Sequence, residues 1–393
     1  MDTLILRTLF VVAILARYAA TVELSTRTIE VGDVLRPATV TTSTAACHCT
    51  AWSEVSAAQL SCTDMTLDNV NVPASSGLSL TALKPAATVT FVGNTSFEYT
   101  PSTGYKMVYI SGNNAKIVGA PGSFFDGGGP LYWDGLGNGG NPKPGNFMKL
   151  SLTNFSTFEN ITVINTPTHA IDLDGAYNST VQNIIIDNSL GFAPNALSNG
   201  SAAAHNTDAF DVAQAENMLL QNIQVWNQDD CVALSVSNNV TFRNFYCSGS
   251  HGLSIAGGGT GPGQNMVRTN SSFTDSIVTN GSIGLRIKTD LNSTGSVVNV
   301  TYSNIAISNI SSQGIDIIQN YYNGGPYGDY ASNGVAIHNL TFANITGTSG
   351  EGAMDYYIFC GNGSCSDFTF DDVRITGGTL NSSCNYPSTG CPK

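Results

Sequence analysis

The chain has 393 residues, 41% of them hydrophobic and only 11% charged, with a mean hydropathy of +0.02. That composition describes a globular chain with a sizeable core, long enough for one large domain or two ordinary ones. Fifteen Lys and Arg against 28 Asp and Glu give a net charge of −13, which argues against nucleic acid and against anionic membrane surfaces, since both are recognised through a basic footprint.

The N-terminal segment, residues 1–20, reads as an export signal: Arg7 supplies the positive end and Leu9 to Ala16 an apolar run too short to span a bilayer. Small residues at Ala19, Ala20 and Thr21 mark the region of cleavage, although Arg17 and Tyr18 spoil a clean A-x-A site; a short pro-segment to about residue 40 can follow, and the remaining domain is expected over 41–393. No later run has the length and apolarity of a membrane helix. Asn-x-Ser/Thr acceptors at Asn94, Asn154, Asn160, Asn178, Asn239, Asn270, Asn299, Asn339 and Asn344 agree with export, although an Asn-, Ser- and Thr-rich chain produces some by chance. Nine cysteines fall into local groups: Cys47, Cys49 and Cys62; Cys231 and Cys247; Cys360 and Cys365; Cys384 and Cys391. Local pairs in an exported chain indicate disulfides, with one cysteine of the first group left over. Zinc is disfavoured because no CxxC pair is present.

From about residue 150 the chain repeats a short motif. Phe158-Glu159-Asn160-Ile161 is echoed by Val181-Gln182-Asn183-Ile184, Leu220-Gln221-Asn222-Ile223, Phe242-Arg243-Asn244-Phe245, Tyr302-Ser303-Asn304-Ile305, Ile337-His338-Asn339-Leu340 and Phe370-Asp371-Asp372-Val373. The shortest steps are 22 residues, and longer ones carry Gly/Ser/Asn-rich insertions such as 195–204. Short β-branched strands at such a period, with no helical periodicity over four turns, predict an all-β, single-domain right-handed parallel β-helix. Asparagine at a fixed place in each coil suits a left-handed turn, where its amide can ladder with the coil above. A leucine-rich repeat is the rival, but its leucine spacing is missing.

Beside the repeat run strands with unusual polar residues: Asn206-Thr207-Asp208, Gln228-Asp229-Asp230-Cys231, Ser250-His251-Gly252, Arg286-Ile287-Lys288 and Gly314 to Tyr321. Asp208 to Asp230 is 22 residues and Asp230 to His251 is 21, one coil each, so these groups should stack at roughly 4.8 Å. Arg286 and Lys288, at i and i+2, point the same way. Asp229 and Asp230 would diverge on a regular strand, so the strand is expected to begin only near Asp230. Cys231, paired one coil on with Cys247, would staple it from behind. Turn caps or a Ca²⁺ site are the competing reading of the acids, a buried core histidine of His251, and plain surface charge of Arg286 and Lys288. The ordered ladder argues against all three.

Those four motifs, in this order and spacing, resemble the signatures of the polygalacturonases, glycoside hydrolase family 28, and are most similar to fungal endo-polygalacturonases. The resemblance covers most of the chain, including Tyr132-Trp133-Asp134-Gly135 and the cysteine pairing, with Cys47 joined to Cys62. It implies a secreted, monomeric endo-enzyme that hydrolyses α-1,4 bonds of de-esterified homogalacturonan with inversion and without metal or cofactor. Asp229 is then the general acid, Asp208 and Asp230 hold and deprotonate water, and His251 tunes protonation. Arg286, Lys288, Tyr321 and Asn206 bind substrate, the two cations gripping a carboxylate, while Asp211 and His205 flank the site. Ala209 and Gln228 look like those of endo-enzymes. Ser250 departs from the family's glycine, and its hydroxymethyl is expected to narrow the cleft. Exo-polygalacturonases, rhamnogalacturonan or xylogalacturonan hydrolases, a Ca²⁺-dependent lyase and a pectin-binding adhesin are the alternatives.

Overall fold

Alternating strands too short to bury a face alone gain stability only by stacking, and the chain solves this by coiling. The computed structural model describes residues 47–257, 266–322 and 324–392; the proposed signal segment and the pro-segment to about residue 40 lie outside them. The described residues group as one unit, a parallel β-helix. Fifteen strands form one long sheet and twelve a second among the described residues. Every strand pairing among them is parallel except Tyr321–Tyr322 against Gly325–Pro326. Coils are already stacked from His48–Cys49, a hundred residues before the visible repeat. Those early strands run two to six residues and their turns fall on Asn69, Ser75, Ala86 and Asn114, so no single residue marks the period.

The asparagine ladder exists, as two ladders five residues apart. Asn183 donates to Asn160 at 2.9 Å, Asn222 to Asn183 at 3.2 Å, Asn244 to Asn222 at 2.9 Å and Asn344 to Asn304 at 3.0 Å. The second ladder joins Asn217 to Asn178 at 3.0 Å, Asn239 to Asn217 at 2.8 Å and Asn339 to Asn299 at 2.6 Å. Ile337-His338-Asn339 therefore belongs to the other ladder, and the true partner of Asn304 is Asn344. All these asparagines have φ between 50° and 59°, where an ordinary side chain pays for the clash of its Cβ. The rung at Phe273-Thr274-Asp275 escapes the sequence pattern because Asp275 replaces the asparagine and accepts from Asn304 at 3.0 Å.

Inside the coil the residue two before each ladder position stacks on its counterpart. Phe242, Phe273, Tyr302, Phe342 and Phe370 form a continuous pile, with centroids 4.6, 4.7, 5.0 and 5.2 Å apart and planes within 17° of parallel. Such contacts add about 0.5–1.5 kcal/mol each beyond burial. The hydroxyl of Tyr302 donates to the carbonyls of Leu253 and Arg286 at 3.3 and 3.2 Å, tying the pile to the strands that carry the polar residues.

The first coil is closed by a helix, Trp52–Ser61, which the sequence pattern did not announce because only Val55, Ala58 and Gln59 are buried. It covers the apolar end that any solenoid must cap. Glu54 accepts from the N–H groups of Thr50 and Ala51 at its start, and Trp52 donates to the carbonyl of Gly77. Disulfides join Cys47–Cys62, Cys231–Cys247, Cys360–Cys365 and Cys384–Cys391, leaving Cys49 free and buried. Cys231 and Cys247 are 16 residues apart, less than a coil, and both are fully buried: the bond crosses the interior from one sheet to the other instead of linking successive coils.

If the ladders hold the turns, Asn222→Gly keeps the left-handed backbone but loses the rung bonds and should cost about 0.5–1.5 kcal/mol. Asn222→Ala should cost about 1 kcal/mol more than that. Denaturant unfolding of the two variants gives the ranking; equal losses would deny the conformational share.

Candidate active site

Parallel pairing turns sequence spacing into a wall. In the second sheet Lys149, Asp172, Asp211, Ala233, Ser254, Arg286, Asp316 and Tyr357 occupy one outward column, each in register with the next. Extending the same registers by two or three residues puts His169, Asp208, Asp230 and His251 in a parallel column at the strands' entrance.

The adjacent acids are explained by the bend they sit on. The strand begins at Val232, two residues later than the expected start near Asp230, so Asp229 and Asp230 are both off the regular pleat. Asn227, fully buried, clamps the bend: its side-chain amide donates to the carbonyls of Thr207, Asp229 and Asp230 at 2.9, 3.0 and 2.9 Å. Thr207 donates to Gln228 and accepts from its backbone N–H, and Gln228 reaches the carbonyl of Asn188. Gln228 is thus a brace behind the acids. Gly252, with φ of +86°, allows the next bend, where a Cβ would sit 2.2 Å from the carbonyl of Gly284.

Each acid has a distinct environment. Asp229 is surrounded by donors: His251 Nδ1 lies 2.9 Å from one oxygen, the Asp230 N–H donates to the same oxygen at 2.8 Å, and Asn206 donates to the other at 3.1 Å. Burial opposes ionisation there, but the His251 hydrogen bond and charge, with Lys288, win and hold the Asp229 carboxyl below the usual range. Asp208 has few donors. Its Oδ1 has no aligned hydrogen bond, although His169 Nδ1 lies 3.3 Å away, and burial together with the Asp229 charge pushes this carboxyl well above the usual range. Asp230, 1% exposed, pairs with Lys288 at 2.7 Å and accepts from Ser254 at 2.8 Å.

His169 stands in the same cluster, and sequence reasoning missed it. Its Nδ1 lies 2.7 Å from Asp211 and its Nε2 contacts the Asn138 amide at 2.9 Å. Burial would depress this imidazole, yet Asp208, Asp211 and Asp229 raise it to about 10. His251 is likewise raised against burial by Asp229. Four carboxylates, Asp208, Asp211, Asp229 and Asp230, thus face three cations, His169, His251 and Lys288, and one shared proton brings the cluster to neutrality. Asn138 is held by a loop whose anchor is the buried pair of Asp134 and Lys143 at 2.8 Å, with Lys143 also donating to the carbonyl of Gly137. Asp134 belongs to the Tyr-Trp-Asp-Gly motif, which is therefore structural support for the site. The Asn138 N–H donates to Asn206 at 3.1 Å, so Asn206 both closes the loop and touches Asp229.

Of the other expected residues, Arg286 and Lys288 sit side by side over the Tyr321 ring, 5.2 and 5.0 Å from its centroid. His205 is exposed and apart from these contacts. Ser250 is fully buried, and its hydroxyl accepts from the Gly252 N–H at 3.1 Å; it braces the bend and does not narrow the cleft. Two trios, His169 with Asp208 and Asp211, and Asp229 with Asp230 and His251, bring ligand-type atoms within 4.8 Å. In both, a histidine raised by its carboxylates carries the proton a metal would have to displace.

The family model for "Glycosyl hydrolases family 28" matches residues 62–392. Endopolygalacturonase D of Aspergillus niger is 44% identical over 347 residues, 88% of this chain and 69% of that protein. A polygalacturonase of Fusarium fujikuroi is 43% identical over 349 residues, covering 88% and 93%. Among solved structures, endopolygalacturonase I of Stereum purpureum, complexed with two galacturonates, is 30% identical with a TM-score of 0.68, over 85% of this chain and all of that one. The endo-xylogalacturonan hydrolase of Aspergillus tubingensis, 20% identical with a TM-score of 0.69, covering 88% of this chain and 99% of that one, shares the fold.

The His169 environment is directly testable. Because its folded value is raised above the unfolded one near 6.5, its contribution to stability is complete below about pH 6.5 and is lost as pH rises through about 10. Ring-nitrogen NMR should find His169 cationic at pH 8; titration between pH 6 and 7 would remove it from the acid cluster.

Proposed function

We propose that this chain, which belongs to glycosyl hydrolases family 28, is an endo-polygalacturonase that hydrolyses α-1,4-galacturonosyl bonds of de-esterified homogalacturonan. The observation that carries the reading is the ladder of Asp208, Asp229 and Asp230 beside the paired cations Arg286 and Lys288. A polyuronate needs a positive grip at the subsite, and a glycosidic bond needs an acid and a base held apart in protonation. Four disulfides among the described residues and the apolar segment of residues 1–20 support export to an oxidising compartment. A monomer is the matching assembly.

The roles follow from the charges. Asp229, ionised when the cleft is empty, becomes an acid through His251: the proton of the Asp229–His251 pair rests on the imidazole and passes across the 2.9 Å contact to Asp229 and on to the departing glycosidic oxygen. Asp208 carries its proton and orients the water, whose own proton goes to Asp230. Lys288 steadies Asp230 as the anion that a base must be. Arg286 and Lys288 take the sugar carboxylate, and Tyr321 offers its ring to the sugar face.

Hydrolysis of polygalacturonate should release reducing ends without an ultraviolet-absorbing double bond and should persist with a Ca²⁺ chelator. Unsaturated products that vanish on chelation would establish a lyase. Lys288→Ala should lower both binding and turnover, since a charge-assisted contact contributes about 1.5–3 kcal/mol and Asp230 loses its partner. Unchanged KM and equal cutting of methyl-esterified pectin would sink the carboxylate grip.

A further inference from the structure

The two gripping cations are already occupied by the protein's own carboxylates. Lys288 is paired with Asp230, and Arg286 Nε lies 3.0 Å from Asp316 Oδ2, with both side chains about 5% exposed or less. Asp316 follows Arg286 in the outward column, so it approaches the guanidinium along the stack of coils and not from the cleft side. Arg286 Nε itself has no acceptor in good geometry, so its approach to Asp316 is above all a charge contact. A planar uronate carboxylate meeting the guanidinium's fork would form the better-aligned pair.

We propose that Asp316 sets the affinity of the grip: it is an internal carboxylate that holds Arg286 in the empty cleft and yields it to a substrate carboxylate. The inference rests on the grip assigned above. It separates the two cations by duty: Asp230 must stay ionised as the base and keeps Lys288, whereas Asp316 touches no reacting atom and is free to let go. Only a ligand bearing a free carboxylate gains from the exchange. A neutral or esterified sugar leaves the Arg286–Asp316 pair intact, so Asp316 moderates only the affinity for the acid and makes that affinity depend on pH.

The groups facing Asp316 set when it yields. Arg286 and Lys288 stand on the preceding strand, Tyr357, whose hydroxyl feels the Asp316 charge, on the following one, and the Tyr321 ring lies beneath both cations. Asp329 bears on the same tyrosine, Tyr357, from farther out. Burial pushes the Asp316 carboxyl up to about 6 against the pull of the two cations. Below that pH Asp316 is neutral and the guanidinium is free for substrate; above it the internal pair competes. Substrate affinity should therefore weaken as pH rises through about 6, by up to about tenfold per pH unit for one competing group.

The test is KM for polygalacturonate at pH 5 and pH 7 in the wild type, Asp316→Asn, Asp316→Leu and Arg286→Gln, with folding checked by circular dichroism. The wild-type KM should rise about tenfold between the two pH values, and the two Asp316 variants should show a lower KM at pH 7 with most of the rise removed. A KM raised at both pH values in the Asp316 variants would mean that Asp316 only positions Arg286, and the inference falls. If Arg286→Gln leaves KM unchanged at both pH values, the grip itself fails; if it raises KM while the Asp316 variants do nothing, only the internal competitor fails. The wild type provides a check independent of any variant. Calorimetry of galacturonate binding at pH 6.5 in buffers of different ionisation heat should show proton uptake, and none would contradict the exchange.

Discussion

Hydrogen bonds between coils fix the register on which every other feature depends. Each backbone rung and each asparagine rung locks one coil onto the next, so that a residue's neighbour is the one 21 or 22 positions on, or farther where an insertion intervenes. Register places Asp208 over Asp230 and Arg286 under Asp316. A slip of one residue would turn every acid inward and every aliphatic outward. The aromatic pile Phe242 to Phe370 and the interior disulfide at Cys231 make such a slip costly where the acids stand.

On that scaffold the site solves an electrostatic problem. Three buried aspartates on two rungs would repel one another, and the fold answers with a cation for almost every acid: His251 at Asp229, Lys288 at Asp230, His169 between Asp208 and Asp211. The single charge left over is what makes the site an acid–base device, because one proton must be shared and the surroundings decide where it rests. Donors crowd Asp229 and are sparse at Asp208, so two chemically identical side chains differ in protonation without differing in burial.

The sequence exposed those parts of this arrangement whose spacing was one coil. Asp208, Asp230 and His251 could be stacked by counting, and the pairings of six cysteines followed from their local grouping, while that of Cys47 with Cys62 came only with the family resemblance. His169 could not, because the insertion around 188–207 stretches its coil to 39 residues and breaks the arithmetic; its one signal was a histidine opening the strand His169–Asp174. Asp316 stood in a strand already marked as polar, but its partner is a side chain one coil back, a relation visible only once the register is known. The capping helix Trp52–Ser61 was silent for a different reason, since a short helix on the end of a solenoid buries too few residues to show a stripe. Ser250 was misplaced because a residue in a tight bend can face the interior, where its hydroxyl satisfies a backbone N–H.

The proposed function divides the labour among the three aspartates: Asp208 and Asp230 would hold a water molecule, and Asp229 would be the acid on the other side of the bond. None of the three then attacks the sugar. An inverting site leaves room for water between its carboxyl groups, about 6.5–9.5 Å, where a retaining one closes to about 5–5.5 Å. An NMR time course on a galacturonan oligomer, read before mutarotation, tests this most directly. The first new reducing ends should be of β configuration, opposite to the α bond cut; α ends appearing first, or a sugar adduct trapped on Asp208 or Asp230, would contradict this division.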